Sequence, residues 1–149
     1  MKKACKVQCK ECPFRHVAMP GYLGAYDVSM VINAIWRNVA FYCHTKINYR
    51  DLKWPEKAAK NGRLCLGGLK FADILMAPVR LDAYPESDPQ VIAARASIKG
   101  RVDIDCMDPM EFKRWHEVGK SFERMQEMTE RLAKWPRTVH AEPIYEKAI

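Results

Sequence analysis

Two cysteines separated by two residues, Cys9-Lys10-Glu11-Cys12, constrain this chain more than any other part of its sequence. A single tight turn places both thiolates of such a pair against one metal centre, as structural zinc and iron–sulfur sites require. Prolines and glycines interrupt any regular period in the surrounding segment, from Met1 to Tyr26. We therefore expect this segment to be irregular and to be held in place by a metal.

The pair supplies only two of the four ligands that such a centre usually needs. Cys43, next to His44, and Cys65 are the candidates for the other two. Cys65 lies near the start of a predicted helix, where the helix dipole favours a thiolate. The predicted ligand set is Cys9, Cys12, Cys43 and Cys65, with Cys5 and Cys106 as spares.

The identity of the metal stays open between an iron–sulfur cluster and zinc. One close pair followed by two widely separated cysteines favours a cluster, and Cys12 precedes Pro13, a combination familiar near clusters. His44 adjoins Cys43 and would complete a zinc site with three cysteines and one histidine. We expect a [4Fe-4S] cluster, with Zn²⁺ as the alternative metal and His44 as the alternative ligand.

Two other uses of the cysteines are weaker. Cys5, Cys9 and Cys12 have the spacing of the radical S-adenosylmethionine signature, but 149 residues are too few for the barrel of those enzymes. Cys43 and His44 could form a nucleophile and base, but adjacent residues seldom direct thiol and imidazole toward each other.

Length and composition fit one domain, since 149 residues with 48% hydrophobic residues can bury a core. No apolar stretch approaches the roughly 18 residues of a membrane helix, and the first residues lack the apolar segment of a secretory signal. We therefore expect a cytoplasmic protein that does not enter membranes. Cytosolic thiols are kept reduced, which favours metal binding over disulfides.

The net charge of +7 is concentrated in residues 1–80, which carry 14 Lys and Arg against 5 Asp and Glu. Residues 81–149 carry 11 Lys and Arg against 13 Asp and Glu. A basic half can bind nucleic acid or an acidic protein, with aromatic side chains stacking between the cations. The candidate contacts are Arg15, Lys46, Arg50, Lys53 and Arg63, with Tyr22, Tyr49 and Trp54 between them.

Helical periodicity predicts a mainly α-helical single domain. Its halves are a basic, cysteine-rich metal-binding half, residues 1–80, and a helical half, residues 81–149. Residues 101–106 alternate at period two and predict one short strand. Helices are predicted from Asp27 to Phe41, Pro55 to Gly62, Leu64 to Ala77 and Asp88 to Gly100, followed by a long amphipathic helix over about residues 109–135. The apolar face of the long helix is either a core face or the seam of a homodimer.

Four short motifs in order give the chain a resemblance to a known family. They are Cys9-x-x-Cys12-Pro13-Phe14-Arg15, Pro20-Gly21-Tyr22-Leu23-Gly24, Phe41-Tyr42-Cys43-His44-Thr45-Lys46 and Cys65-Leu66-Gly67-Gly68. Over residues 9–76 this series resembles a small family of proteins from bacteriophages and bacteria that has no established activity. The resemblance implies that the four cysteines act together with His44 nearby, and a phage origin would place the protein in the host cytoplasm.

The expected function is that of a metal-centre accessory protein of phage type, which acts by binding a host protein or nucleic acid. The alternative is a small iron–sulfur enzyme in redox or nucleic-acid-processing chemistry. An enzyme should have an accessible pocket with convergent polar groups beside the metal, whereas a binding protein should have a closed centre and an exposed basic or apolar patch.

Overall fold

The computed structural model describes residues 3–21, 23, 26–48 and 50–118. Within these ranges the chain is a single, mainly α-helical domain, as predicted, and its β-type pairing consists of isolated bridges. The α-helices are α1 (Val28–Trp36), α2 (Trp54–Asn61), α3 (Leu66–Ile74), α4 (Pro89–Ile98) and α5 (Pro109–Val118), and short 3₁₀ helices span His44–Lys46 and Leu81–Ala83.

The predicted starts of three helices are confirmed by aspartate caps. The side chain of Asp27 accepts a hydrogen bond from the Met30 amide at 2.9 Å, and that of Asp88 accepts one from Gln90 at 2.8 Å. Asp108 accepts from the amides of Met110 and Glu111 and begins α5. Each carboxylate satisfies donors that the first helical turn leaves without a helical partner. The structure describes the predicted long helix only to Val118; its remainder, with Tyr22 and Tyr49, lies outside the described residues.

Helix α1 ends at Trp36, five residues before the predicted end at Phe41. Asn38 has a φ of 57°, a left-handed conformation that stops the helix. The Asn38 amide bonds the Ile35 carbonyl, and the Val39 amide bonds the Ala34 carbonyl. This is the hydrogen-bond pattern of a Schellman motif, in which asparagine is the usual substitute for glycine.

The strand predicted over residues 101–106 is wrong. Asp105 pairs its backbone with the side-chain amide of Gln8, which donates to the Asp105 carbonyl at 2.6 Å and accepts from the Asp105 amide at 2.8 Å. An exposed ion pair joins Arg101 to Asp103 in the same segment. Since a side-chain amide can satisfy one residue of backbone but cannot continue as a strand, the segment stays irregular.

The core combines both halves of the sequence. Helix α3 packs against α1 and α4, and α1 also contacts α5. Phe14, from the irregular first segment, is fully buried and lies 5.2 Å from the ring of Phe71 and 5.0 Å from that of Phe112. The first segment is indeed irregular, but its anchor in the structure is this aromatic side chain, and tethering by a metal stays a proposal. None of the described helices is long and apolar enough to cross a membrane.

Candidate metal centre

Two backbone bridges that meet at Leu64 bring three distant cysteines together. Leu64 pairs with Ala4 on one side and with Tyr42 on the other. Each of these three bridged residues is followed directly by a cysteine. The bridge to Ala4 is parallel, so Cys5 runs alongside Cys65, whereas the bridge to Tyr42 is antiparallel, so Cys43 lies opposite Arg63. The amide of Cys5 bonds the Leu64 carbonyl at 3.0 Å, that of Cys43 bonds Arg63 at 2.7 Å and that of Cys65 bonds Phe41 at 2.9 Å.

The Cys9-x-x-Cys12 pair forms the predicted tight turn. The Cys12 amide donates to the Cys9 carbonyl at 3.3 Å. The guanidinium of Arg15 closes the turn from outside by donating to the carbonyls of Cys9 at 2.8 Å and of Gln8 at 3.1 Å. Arg15, predicted as a partner contact, therefore supports the conformation of the cysteine turn.

The pKa shifts of the four predicted ligands are caused in part by one another's side chains. Interaction with the Cys12 side chain raises the pKa of Cys65 and of Cys9, and Cys43 also raises the pKa of Cys9. Cys5, which was not predicted as a ligand, lowers the pKa of Cys43. We call these five residues the thiol series: Cys65, Cys12, Cys9, Cys43 and Cys5.

The pKa values of the cysteines in the thiol series are shifted in opposite directions. Hydrogen bonds from Cys5 and Cys9 lower the pKa of Cys43 to about 2, although burial opposes them. Burial alone would raise the pKa of Cys12, but hydrogen bonds from Cys65, Cys9 and Gln8 outweigh it and hold that pKa well below its usual value. Cys9 and Cys65 have raised pKa values because they bond these acceptor sulfurs. A thiol whose pKa is lowered ionises more readily, and the thiolate is the form that binds metals.

Helix α3 covers the inner side of the thiol series. Cys65 precedes the helix, and its sulfur accepts a hydrogen bond from the Gly68 amide at 3.4 Å. Gly67 packs directly on the Cys12 sulfur, where a Cβ atom would overlap it. Cys12 and Cys65 are consequently 1% and 3% exposed, and the inner side of the centre is closed to solvent.

The outer side of the thiol series faces a groove of about 720 Å³. Three of the thiols lie in its wall: Cys5, Cys9 and Cys43. Three basic residues line it as well, namely Lys6, Lys10 and Arg63. The centre is therefore closed on its α3 side and open on the side where cations converge.

Among the predicted basic contacts, Arg63 lines this groove. Arg50 and Lys53 are exposed in the segment before α2 and do not line it, and the backbone of Lys46 belongs to the 3₁₀ helix. Lys6 and Lys10 were missed, although both flank cysteines of the predicted site in the sequence. Alternation of lysine and cysteine from residue 3 to residue 12 is the signal that could have found them.

His44 and Cys106 lie beside the thiol series. His44 is 7% exposed, and burial lowers its pKa more than the nearby Cys43 and Cys12 raise it, so its ring is kept in the neutral form that can bind a metal. The Cys106 thiol donates to the carbonyls of Gly67 at 3.7 Å and Met107 at 3.4 Å. Burial raises the pKa of Cys106 and keeps it protonated.

The types of side chain at this site suit a metal centre, but their positions in the structure do not form one. Within the described part of the chain, no three His, Cys, Asp or Glu side chains have the arrangement needed to hold a metal ion as they stand. Thiolate sulfurs are nevertheless the donors that zinc and iron–sulfur centres use, and the four thiols shift one another's pKa values.

Comparison with known protein families, with curated proteins and with solved structures gave no match to this chain.

Proposed function

We propose that the protein binds one metal ion through Cys9, Cys12, Cys43 and Cys65. The observation that carries this proposal is that the backbone brings these four cysteines together from three separate parts of the chain: the Cys9–Cys12 turn packs on α3 through Gly67, and the bridges at Leu64 place Cys43 and Cys65. A shared metal would convert all four thiols into strong ligands. Because the ligands join distant segments, metal binding contributes to folding.

The buried, neutral imidazole of His44 beside Cys43 favours zinc over the cluster that the sequence pattern favours, because zinc commonly takes histidine alongside cysteine. Four thiolates at about 2.3 Å from one zinc ion lie about 3.8 Å from one another. In a [4Fe-4S] cluster each thiolate binds a different iron, so the cluster atoms keep the sulfurs apart. The cluster remains the second candidate, because of the Cys12-Pro13 pair and the single close cysteine pair.

Charge around the groove also supports a thiolate centre. Four thiolates around a divalent zinc ion carry two net negative charges, which are costly to hold beside a core without nearby cations. Lys6, Lys10 and Arg63 line the groove on the open side of the thiols. Their attraction to the centre offsets part of that cost.

The accessory role follows from the same groove. A closed inner side stabilises the protein, and a basic outer side provides the surface through which a phage-type accessory protein would bind an acidic host protein or nucleic acid. The competing function, a small enzyme in redox or nucleic-acid-processing chemistry, is favoured by one observation, the contact of Cys9 and Cys43 with the groove.

The test is the metal content of protein purified anaerobically without a metal-binding tag. We expect a colourless protein with one zinc per chain by elemental analysis. About four irons with matching sulfide and a broad absorption band near 400 nm would replace zinc by the cluster. Protein that is folded and contains no metal would contradict the proposal.

Matched serine variants locate the ligands. Cys12→Ser and Cys65→Ser should yield insoluble or metal-free protein, because each removes a fully buried ligand. Cys106→Ser should retain the metal, because that thiol bonds backbone carbonyls outside the series. A double variant of Cys12 and Cys65 with full metal content and unchanged melting would contradict the assignment.

A further inference from the structure

The basic residues that line the groove differ in their surroundings from basic residues on other surfaces of the described chain. Elsewhere, basic side chains pair with carboxylates: Arg37 with Glu86, Lys57 with Asp51, Arg80 with Asp82 and Arg101 with Asp103. Lys6 and Arg63 are exposed in the groove, and neither forms an ion pair within the described ranges. Lys10 is also exposed there and adds a third cation. Cations gathered around one recess give it a positive potential that attracts an anionic partner.

The groove also offers apolar surface to a ligand. Val7 lies in its wall and is 76% exposed. Glu11 lies in the same wall but is 4% exposed, so a ligand in the groove meets little of its carboxylate. The combination of cations and exposed apolar surface matches nucleic acid, whose phosphates are anionic and whose bases have apolar faces. A run of acidic side chains from a protein would match only the charge.

The shape of the groove favours a single strand over a duplex. Its volume of about 720 Å³ is within the range of pockets that enclose small ligands, about 300–1,000 Å³. Single strands bend easily and are bound in basic grooves that follow their backbone. A duplex is stiff over roughly 150 base pairs and carries its phosphates on a convex surface, so its backbone does not follow a recess of this size.

From these observations we propose that the groove binds a short stretch of single-stranded nucleic acid, with Lys6, Lys10 and Arg63 against its phosphates and Val7 against a base. Lysine supplies a point charge to a phosphate, and the guanidinium of Arg63 can form a bidentate pair of hydrogen bonds with one. These contacts do not read base edges, so binding tolerates different sequences. The inference rests on the accessory role proposed above and names its partner, but it does not require the metal.

The experiment measures binding of the full chain to a fluorescein-labelled oligothymidylate of about ten nucleotides by fluorescence anisotropy. Titrations between about 50 and 200 mM KCl give the slope of the logarithm of the association constant against the logarithm of the salt concentration. A single strand releases about 0.7 counterions for each phosphate that the protein neutralises, so three contacts predict a slope of about −2.

Variants of the groove locate the contacts. Lys6→Gln and Arg63→Gln should each reduce the magnitude of the slope by about 0.7 and weaken binding about fivefold at about 0.1 M KCl. Both side chains are exposed, so the variants should keep the fold. Val7→Ser should weaken binding and leave the slope unchanged. Arg80→Gln is the matched control, because it removes the same charge from an ion pair outside the groove, and it should bind as the wild type does.

The outcomes separate this inference from its alternatives. Absence of binding, or equal slopes for the wild type, Lys6→Gln and Arg63→Gln, would overturn it. A duplex that binds as tightly as the single strand would overturn the choice of a single strand. A polyglutamate peptide that competes equally well would assign the groove to an acidic protein instead.

Elemental analysis of the same sample tests the metal separately. Metal-free wild-type protein that binds the oligonucleotide with the expected slope would contradict the metal site and support this inference. Metal-loaded protein that does not bind the oligonucleotide would support the metal site and overturn this inference.

Discussion

At the scale of single residues, Gly67 and Gly68 are adjacent in sequence and differ in what surrounds them. A Cβ atom on Gly67 would overlap the Cys12 sulfur and come within 2.8 Å of the Phe14 ring. A Cβ atom on Gly68 would meet its nearest neighbour, the Phe41 ring, at 3.4 Å, which is ordinary contact. The approach of α3 to the thiol series therefore requires glycine at position 67 and not at position 68.

We expect Gly67→Ala to lower the free energy of unfolding by about 1–3 kcal/mol, the usual effect of overpacking a core, and to reduce metal content. Gly68→Ala is the control. It should be neutral or stabilising, because alanine favours helix over glycine by up to about 1 kcal/mol. Urea denaturation and metal analysis of both variants check this pair, and equal behaviour of the two would be inconsistent with close packing of α3 on Cys12.

At the scale of elements, the helix ends are less ideal than the helix starts. Helix α3 is followed by Met76, which has a φ of 55° and an 85% exposed side chain. The Ala77 amide bonds the Ala72 carbonyl and the Met76 amide bonds the Asp73 carbonyl, so the helix closes with a Schellman motif. A side chain other than glycine or asparagine is strained there by roughly 1–2 kcal/mol.

We therefore predict that Met76→Gly raises the free energy of unfolding by about 1 kcal/mol, since it relieves that strain and removes little buried surface. Met76→Ala keeps a Cβ atom and should leave the strain in place. Thermal melts of the two variants provide the measurement. A glycine variant that melts at or below the alanine variant would refute the assignment of strain.

The same elements explain what could be predicted from the sequence. Helix starts were predictable because aspartate followed by proline acts locally, as at Asp88 and Asp108. The end of α1 could not be predicted, because a tertiary contact holds Asn38: Arg95 of α4 donates a hydrogen bond to the Asn38 side chain. The spacing Cys9-x-x-Cys12 likewise reports a local turn, whereas the place of Cys5 depends on pairing with Leu64, far along the chain.

At the scale of the whole molecule, His116 joins α5 to the first segment. Its Nε2 donates to the Pro13 carbonyl at 2.7 Å, and its Nδ1 accepts from the Gly21 amide at 3.0 Å. The ring is fully buried and must be neutral to make both bonds. Burial lowers the pKa of His116 from 6.5 to about 4, against the smaller opposing effects of the Pro13 carbonyl and Cys12.

This shift predicts a loss of stability in acid. Between pH 6.5 and 4 the unfolded chain binds a proton at His116 that the folded chain does not. The free energy of unfolding therefore decreases by about 3 kcal/mol in total as the pH is lowered through this range. The contribution is fully present above pH 6.5. Urea midpoints across this range should decline more steeply for the wild type than for His116→Gln, which keeps a donor and an acceptor but does not titrate. Parallel curves would exclude His116 as the source.

The pairing of Leu64 with both Ala4 and Tyr42 also means that this part of the fold forms late during synthesis of the chain. Cys5 leaves the ribosome about 60 residues before Cys65, a delay of about 3–12 s at ordinary translation rates. Until Leu64 emerges, neither Ala4 nor Tyr42 has its backbone partner, and the earlier cysteines lack the wall that α3 later forms. During that interval their thiols are most exposed to oxidation.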